Sequence, residues 1–459
     1  MPHGSTFSRV LAEAFLSSRW TEGELEAQGQ LALGLKRPRK WFSRLVVAVI
    51  SRFESSPPRR QLIEFLDSVY RYSSITGHAA KLTDLSVLRL PRIQMRPAAG
   101  MSPEIAVPAL VTLGDLSDWL ELTGGELEWF AGQFAIRDLP ENSPLRHYRY
   151  RFLQKSSGNL RLLEIPKPRL KKIQQHILHG ILDQIPPHPA AHAFRRGRSI
   201  RTYVAPHAGQ PVVLHMDLQD FFPSIRSSRI HALLRTVGYP ERVARALTAL
   251  CTHTTPDVAF AGINETAQDR SGRQLFRRRH LPQGAPTSPA LANLCARRLD
   301  IRLTALADQF SGNYTRYADD LLFSGGATFQ RGLQRFQSLT HTIVLDEEFT
   351  IHPHKTRSLR QSQSQRVAGV VLNDHPNPAR NDFDQLKATL FNCIRYGPSS
   401  QNRDQHPHFA QHLQGRIAYL TMINPQRGGK LKALYDQIEW THSTTPESHG
   451  QIGGQPEVG

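Results

Sequence analysis

Cysteine is scarce in this sequence: Cys251, Cys295 and Cys393 are the only three in 459 residues. They stand far apart and in no paired spacing, which leaves no disulfide framework and no cysteine zinc site and makes a reducing cytoplasm the expected compartment. Long apolar runs are missing as well. The longest, LVVAVI at 45–50, lies between Arg44 and Arg52 and is far too short to cross a bilayer. The opening MPHGSTFSRVLAEAF has no long apolar stretch and no small-residue cleavage site, so no secretory signal is expected. No P-loop and no dinucleotide fingerprint occur. Histidine is abundant, at 21 residues, but the pairs His352/His354 and His406/His408 have no third and fourth partner in view, so no metal is expected there.

Acidic residues are also in deficit. Against 57 Lys and Arg there are 39 Asp and Glu, a formal charge of +18. Such a surplus points to a polyanionic partner, above all a nucleic acid, and not to a membrane. Hydrophobic residues at 39% and charged residues at 21% are the balance of a folded globular chain.

Helical periodicity dominates residues 1 to about 75, where Thr21 and Glu24 have the spacing of a capping box. Prolines punctuate 91–108. Thr112 with Asp115 and Thr123 with Glu126 repeat the capping spacing before two short helices. In HYRYRFLQKSSGNLRLLEIPK, Tyr148, Tyr150 and Phe152 alternate with Arg149 and Arg151 and a turn falls at Ser157-Gly158-Asn159, which reads as a basic β-hairpin. Leu170, Ile173, Ile177, Ile181 and Ile185 mark an amphipathic helix. A helix is expected from about Ser288 through Asp308. RRRH at 277–280 reads as a template-contacting or solvated loop, and the Ser/Thr/Gly/Pro-rich stretch from 441 as disordered.

The chemistry lies in three acids. Val213, His215 and Asp217 alternate with Val212, Leu214 and Met216, so Asp217 ends an apolar strand. RYADDLLFS at 316–324 places Asp319 and Asp320 between two short β-prone runs, at the bend of a hairpin. If that hairpin lies beside the first strand, three carboxylates converge. They would repel one another unless a cation neutralised them, which makes the group a Mg²⁺ site of the two-metal kind. Taken alone, the Asp pair would be no more than a solvated turn.

YADD, with MDLQDFF upstream and LPQGAPTSPALAN between them, resembles the reverse transcriptases. EIPKPRLKKIQQHIL, HPAAHAFRRGRSI, HPHKTR and RVAGVVLN extend the resemblance to the bacterial retron enzymes, over roughly residues 110 to 435. The resemblance implies an α/β (α+β) right hand: a helical N-terminal extension over 1–90, mixed fingers over 91–210, with helices from 226–280 divided between palm and fingers, an antiparallel-sheet palm over 211–372, and a helical thumb over 373–440, followed by the tail at 441–459. It implies that Asp217, Asp319 and Asp320 ligate the metals, with the carbonyl of Leu218. Phe222 would lie under the sugar of the incoming nucleotide and select deoxynucleotides, though plain core is the alternative. Lys155 and Arg161 would clamp the triphosphate, Gln283 and Gly284 would pack on nucleotide and template, and Lys355 would donate a proton to pyrophosphate. Val367 and Gly369 would belong to the primer grip, and Arg395, Arg416, Arg427 and Lys430 would line the thumb.

The implied activity is that of an RNA-directed DNA polymerase that binds a cognate structured noncoding RNA and copies part of it, primed from an RNA 2′-hydroxyl. The product would be a branched RNA–DNA hybrid used in phage defence, with an effector protein as a further partner. Two departures bear on how the RNA is held. The Asn-Ala-x-x-His box reads Tyr203-Val204-Ala-Pro-His207 here, and Val-Ala-Gly stands for Val-Thr-Gly. Another defence-associated or intron-type reverse transcriptase, or a non-catalytic RNA-binding scaffold, are the competing readings.

Overall fold

The computed structural model describes residues 3–72 (without 17, 19, 36, 38, 55, 56 and 58), 95, 97, 106–132, 145–154, 160–261 and 267–440. Lys155, the turn at Ser157–Asn159 and the stretch from 441 lie outside the described residues, as does most of the Pro-punctuated 91–108. Among the described residues no helix is long and apolar enough to cross a membrane. Helices and antiparallel sheets are mixed, as the α+β class requires. Two compact units interleave along the chain: Met1–His188 with Asp220–Arg298, and Pro189–Gln219 with Leu299–Gly459.

In the first unit, helices His3–Leu16, Glu22–Ala32, Lys40–Arg52 and Arg59–Tyr72 share one core that includes Leu11, Phe15, Leu25, Phe42, Val46 and Leu62. The three-and-four spacing of Leu45, Val46 and Val49 aligns them on one helical stripe, and that stripe is what is buried. A Cβ on Gly29 would stand 2.2 Å from Phe42 Cζ, so only glycine lets the second and third helices approach. The capping boxes at Thr112/Asp115 and Thr123/Glu126 form with both reciprocal bonds. The one expected at Thr21/Glu24 does not. Thr21 has the extended backbone of a cap, but its side chain makes no capping bond, and Glu22 and Glu24 supply the favourable negative charge at that helix start instead.

Strands β1 (Tyr148–Gln154) and β2 (Leu160–Pro166) pair antiparallel, with Tyr150 opposite Glu164 and Phe152 opposite Leu162. Their shared inward face packs on Ala259, Phe260 and Phe276. The amphipathic helix follows as Pro168–Gly180, with proline where the helix needs no N–H. The helix expected over 288–308 is two helices, Ser288–Cys295 and Arg297–Gln309, parted at Ala296, where one N–H is shared between the carbonyls of Ala292 and Leu294.

The second unit is built on a four-stranded antiparallel sheet of β3 (Val212–Asp217), β4 (Gly312–Tyr317), β5 (Asp320–Gly325) and β6 (Arg357–Arg360), in the order β4-β5-β3-β6. One face, with Phe323 and Tyr314, stacks on Phe336 and its neighbour Phe329. The other, with Val213 and Leu322, is covered by Tyr203, Val204, Val370, Leu372 and Ile423. A three-stranded ribbon of β7 (Arg366–Val367), β8 (Val370–Val371) and β9 (Asn377–Pro378) leads to helices Arg380–Tyr396, Phe409–Ile423 and Pro425–Tyr435. Those helices close over their own core of Leu386, Leu390, Cys393, Leu413, Ile417 and Leu431.

Candidate active site

The register of the sheet decides where the acids go. Asp217, the last residue of β3, lies directly opposite Asp320, the first residue of β5, and Asp320 lies opposite Tyr317 of β4. Because side chains alternate, Asp217, His215 and Val213 share a face with Asp320, Leu322 and Ser324. Asp319 occupies the turn between, and its carbonyl accepts the Leu218 N–H at 2.8 Å. Leu218 forms an isolated bridge with Ile351. The strand end and the distant hairpin thus bring three carboxylates to one edge of one sheet.

That turn is strained and braced. Ala318 has φ +56°, a left-handed conformation that disfavours any side chain. Its carbonyl is held at 3.1 Å by Arg316. Arg316 and Asp300 are both fully buried and joined by two hydrogen bonds of 2.8 and 2.7 Å, and Tyr314 donates to the same carboxylate at 2.8 Å. A bidentate pair with a further hydrogen bond from Tyr314 is the geometry in which a buried ion pair is tolerated.

The three acids have different surroundings. Lys355, half exposed at the end of a short 3₁₀ turn, reaches Asp217 Oδ2 at 2.8 Å. His215 Nε2 meets Asp320 Oδ1 at 2.7 Å. Asp319 has neither partner. Burial, then the charges of Asp320 and Asp217, push its carboxyl up to about 6, with Lys355 opposing. A carboxylate that its surroundings discourage from ionising gains most from an added cation. The donors are hard oxygens and fit Mg²⁺ in kind. As they stand they are no preformed cage: among the described residues no three His, Cys, Asp or Glu side chains are grouped to hold a metal, and Lys355 and His215 contact two of the acids.

The face that the acids share also carries, further along the strands, the departure from the expected box. His207 is fully buried and pushed down to about 3 by burial, so its ring is neutral. Thr315 gives its hydroxyl hydrogen to the Tyr203 carbonyl at 2.8 Å. The His207 Nε2–H therefore donates to Thr315 Oγ1 at 2.8 Å, and Nδ1 accepts from Ser324 at 2.7 Å. One imidazole thus ties β4 to β5. Tyr203 packs beside Tyr317, ring centroids 5.5 Å apart, and its hydroxyl is buried without a partner. Burial and the charges of Asp320, Asp319 and Asp217 hold that phenol well above its usual range, in its donor form.

In the first unit, Gln283 and Gly284 are locked to β2. The Gln283 carbonyl accepts the Glu164 N–H at 2.9 Å, and a Cβ on Gly284, at φ +135°, would come within 2.8 Å of the Glu164 carbonyl oxygen. Glu164 is the one acid on the buried hairpin face. Its carboxylate accepts from Thr255 at 2.5 Å and from His280 Nε2 at 2.9 Å. His280 Nδ1 faces the Arg278 carbonyl at 2.8 Å, so both ring nitrogens point at acceptors and the ring is an imidazolium. Burial alone would discharge both partners; their mutual attraction overcomes it, holding His280 above and Glu164 below their usual values.

Phe222 is half-buried in the short helix Phe221–Ser224, edge-on to the buried Phe221 at 5.6 Å. Arg161 is exposed on β2. Val367 is buried in β7, and Gly369 turns into β8 at φ +82°. Of the thumb cations, Arg427 lies over Phe383 at 5.2 Å and Arg395 over Tyr396 at 5.4 Å. Sequence reasoning gave no role to His215, Arg316, Asp300 or Glu164, and it placed His280 in a template-contacting or solvated loop, whereas His280 is fully buried against Glu164. His215 was within reach, since it stands two residues before Asp217 and so on the same strand face. Glu164, an acid among apolar residues in the inward register of a strand, carried a signal too.

Residues 153–372 match the family described as reverse transcriptase (RNA-dependent DNA polymerase). The chain is 40% identical over 295 residues to the retron Mx65 reverse transcriptase of Myxococcus xanthus, covering 62% of this chain and 64% of that protein, just under two thirds of the relative's length. It is 34% identical over 348 residues to the retron Mx162 reverse transcriptase of the same organism, covering 72% and 68%. With the retron Ec86 reverse transcriptase of Escherichia coli it shares 26% over 304 residues, covering 65% and 84%.

Proposed function

As the chain belongs to the retron reverse transcriptases, a family of RNA-directed DNA polymerases, we propose that it binds a cognate structured noncoding RNA in the cytoplasm and copies part of it into DNA. Synthesis starts from an RNA 2′-hydroxyl, and the branched RNA–DNA product serves phage defence together with an effector protein. The observation that carries the polymerase reading is the placement of Asp217 opposite Asp320 with Asp319 in the adjoining turn.

In this reading Asp217, Asp319, Asp320 and the Leu218 carbonyl hold two Mg²⁺ ions. When bound, these lower the pKa of the attacking hydroxyl and neutralise charge on the phosphate and leaving group. Lys355, already at the acids with half its side chain in solvent, protonates the departing pyrophosphate. Arg161 and Lys155 clamp the triphosphate, and the locked Gln283–Gly284 turn supports nucleotide and template. Val367 and Gly369 position the primer, and the thumb cations hold the duplex backbone.

Primer extension on an RNA template with deoxynucleotides and Mg²⁺ tests the reading. The double change Asp319→Asn, Asp320→Asn removes several kcal/mol of charge stabilisation and is expected to lower the rate by on the order of a thousandfold or more. Undiminished DNA synthesis by that variant would end the polymerase assignment. Phe222→Ala is expected to raise ribonucleotide incorporation at matched nucleotide concentrations, and an unchanged ratio would return Phe222 to plain core.

A further inference from the structure

We propose that the first unit carries a pocket for an unpaired nucleotide of the RNA, with Phe130, His147 and Tyr150 as its aromatic wall and Arg146, Arg278 and Arg279 as its phosphate-binding side. The inference rests on the reading of the chain as an RNA-binding polymerase and adds to it a site away from the carboxylates.

The cavity has a volume of about 690 Å³, within the range of small-ligand sites, about 300–1,000 Å³. Four arginines line it, Arg146 and Arg277 to Arg279, and no described lining residue is acidic. Of these, Arg277 is answered by Asp257 at 3.1 Å. Arg279 is half-buried and has no carboxylate partner among the described residues. Burial pulls its pKa down, with only the Tyr148 phenol opposing. The field nearby is positive as well: burial, then Arg149 and Arg146, depress the adjacent Lys167. A guanidinium withdrawn from water without a counter-charge is an unfavourable arrangement that an anion would relieve.

The aromatic rings that line the same cavity are flat and held by neighbours. Tyr148 stacks on His253 at 4.1 Å and 28°. The Tyr150 hydroxyl is hydrogen-bonded to His253 Nε2 at 2.9 Å, and burial pushes His253 down to about 3, keeping it neutral. Phe130 and His147 lie 5.0 Å apart at 40°. Cations and preorganised rings lining one cavity suit a phosphate with a base attached. The bases of a duplex are stacked on each other and cannot enter, so the occupant is a nucleotide from a loop, bulge or single strand. An acidic peptide would answer the arginines and leave the rings unused. The pocket also adjoins the template turn through the chain itself, since Arg279 is followed by His280, which holds Glu164, and then by Gln283.

The test uses the full chain and a short unstructured oligoribonucleotide carrying 4-thiouridine. Photocrosslinks to the peptides containing Tyr148–Tyr150 or Arg277–Arg279 are the expected result; crosslinks confined to other peptides overturn the pocket. Fluorescence anisotropy with the same oligonucleotide gives the energetic arm. Arg279→Ala is expected to weaken binding roughly tenfold, and Arg279→Lys, which keeps charge but loses the fork, by less. Wild-type affinity in an Arg279→Ala protein of unchanged melting temperature overturns the proposal, as does an equal loss for blunt duplex RNA, which would mark a general basic patch. Primer extension by the wild-type protein separates the two readings. Extension without pocket crosslinks sinks the pocket alone, whereas crosslinks without extension sink the polymerase reading and leave the pocket standing.

Discussion

A carboxylate faces an imidazole in two regions of this protein, with opposite consequences. In the first unit Glu164 and His280 are both fully buried, and every polar atom of the pair has a partner. In the second, Asp320 and His215 form the same contact on the two central strands of a sheet, with side chains 30% and 19% exposed. The first pair is permanent: it fastens the hairpin to the loop of His280 and Gln283. The second is provisional. Water can replace the imidazole at Asp320, and so can a metal. Identical chemical groups are made structural or exchangeable by burial alone, because withdrawal from water makes separation of the charges prohibitive.

Changing the buried pair gives the largest expected effect on stability. Glu164→Gln leaves an imidazolium without its counter-charge and is expected to destabilise the fold by about 3–5 kcal/mol, read as the midpoint of denaturant unfolding. The pair also predicts a pH window. Glu164, lowered on folding, contributes stability that is present above its unfolded value and lost as pH falls through the folded one. His280, raised on folding, contributes below its unfolded value and loses that contribution as pH rises through the folded one. The contribution is therefore greatest between about pH 4.3 and 6.5, the two unfolded values. Flat stability across the acid and neutral limbs in wild type relative to Glu164→Gln would show that the pair is not charged.

A smaller effect, of opposite sign, is expected beside the acids. Tyr203 buries a hydroxyl with no partner, so Tyr203→Phe should stabilise the metal-free protein by about 1 kcal/mol. A lower melting temperature for that variant would show that the hydroxyl is satisfied in solution. The smallest change is expected at the provisional pair. His215→Ala should alter stability by less than about 1 kcal/mol, because a partly exposed side-chain contact exchanges readily with water. A loss as large as that of Glu164→Gln would erase the contrast between the two regions.

Much of the site could be read before the fold was seen. The alternation through Val213, His215 and Asp217 announces a strand ending in an acid, and the short β-prone runs flanking Asp319 and Asp320 announce the hairpin; both are local consequences of side-chain period. The helical spacing of Phe383, Leu386, Leu390, Cys393 and Ile394 was legible for the same reason; Leu386, Leu390 and Cys393 are buried, Phe383 is partly buried and Ile394 is exposed. The pairing of Lys355 with Asp217 spans 138 positions and that of His280 with Glu164 spans 116, and no local pattern encodes either. Thr21 shows the converse. Its spacing to Glu24 is right for a capping box, yet the Thr21 side chain makes no capping bond, because spacing alone does not fix a side-chain rotamer.

What the sequence by itself determined is the set of elements and the face each residue takes on them, because strand and helix periods act over a few residues. Which acid is held by Lys355, which by His215, and which, Asp319, is left to resist ionisation was decided by the tertiary structure alone. Coulomb energy depends on distance and on exclusion of water, and both quantities come into existence only when β3, β5 and the turn before β6 are brought together.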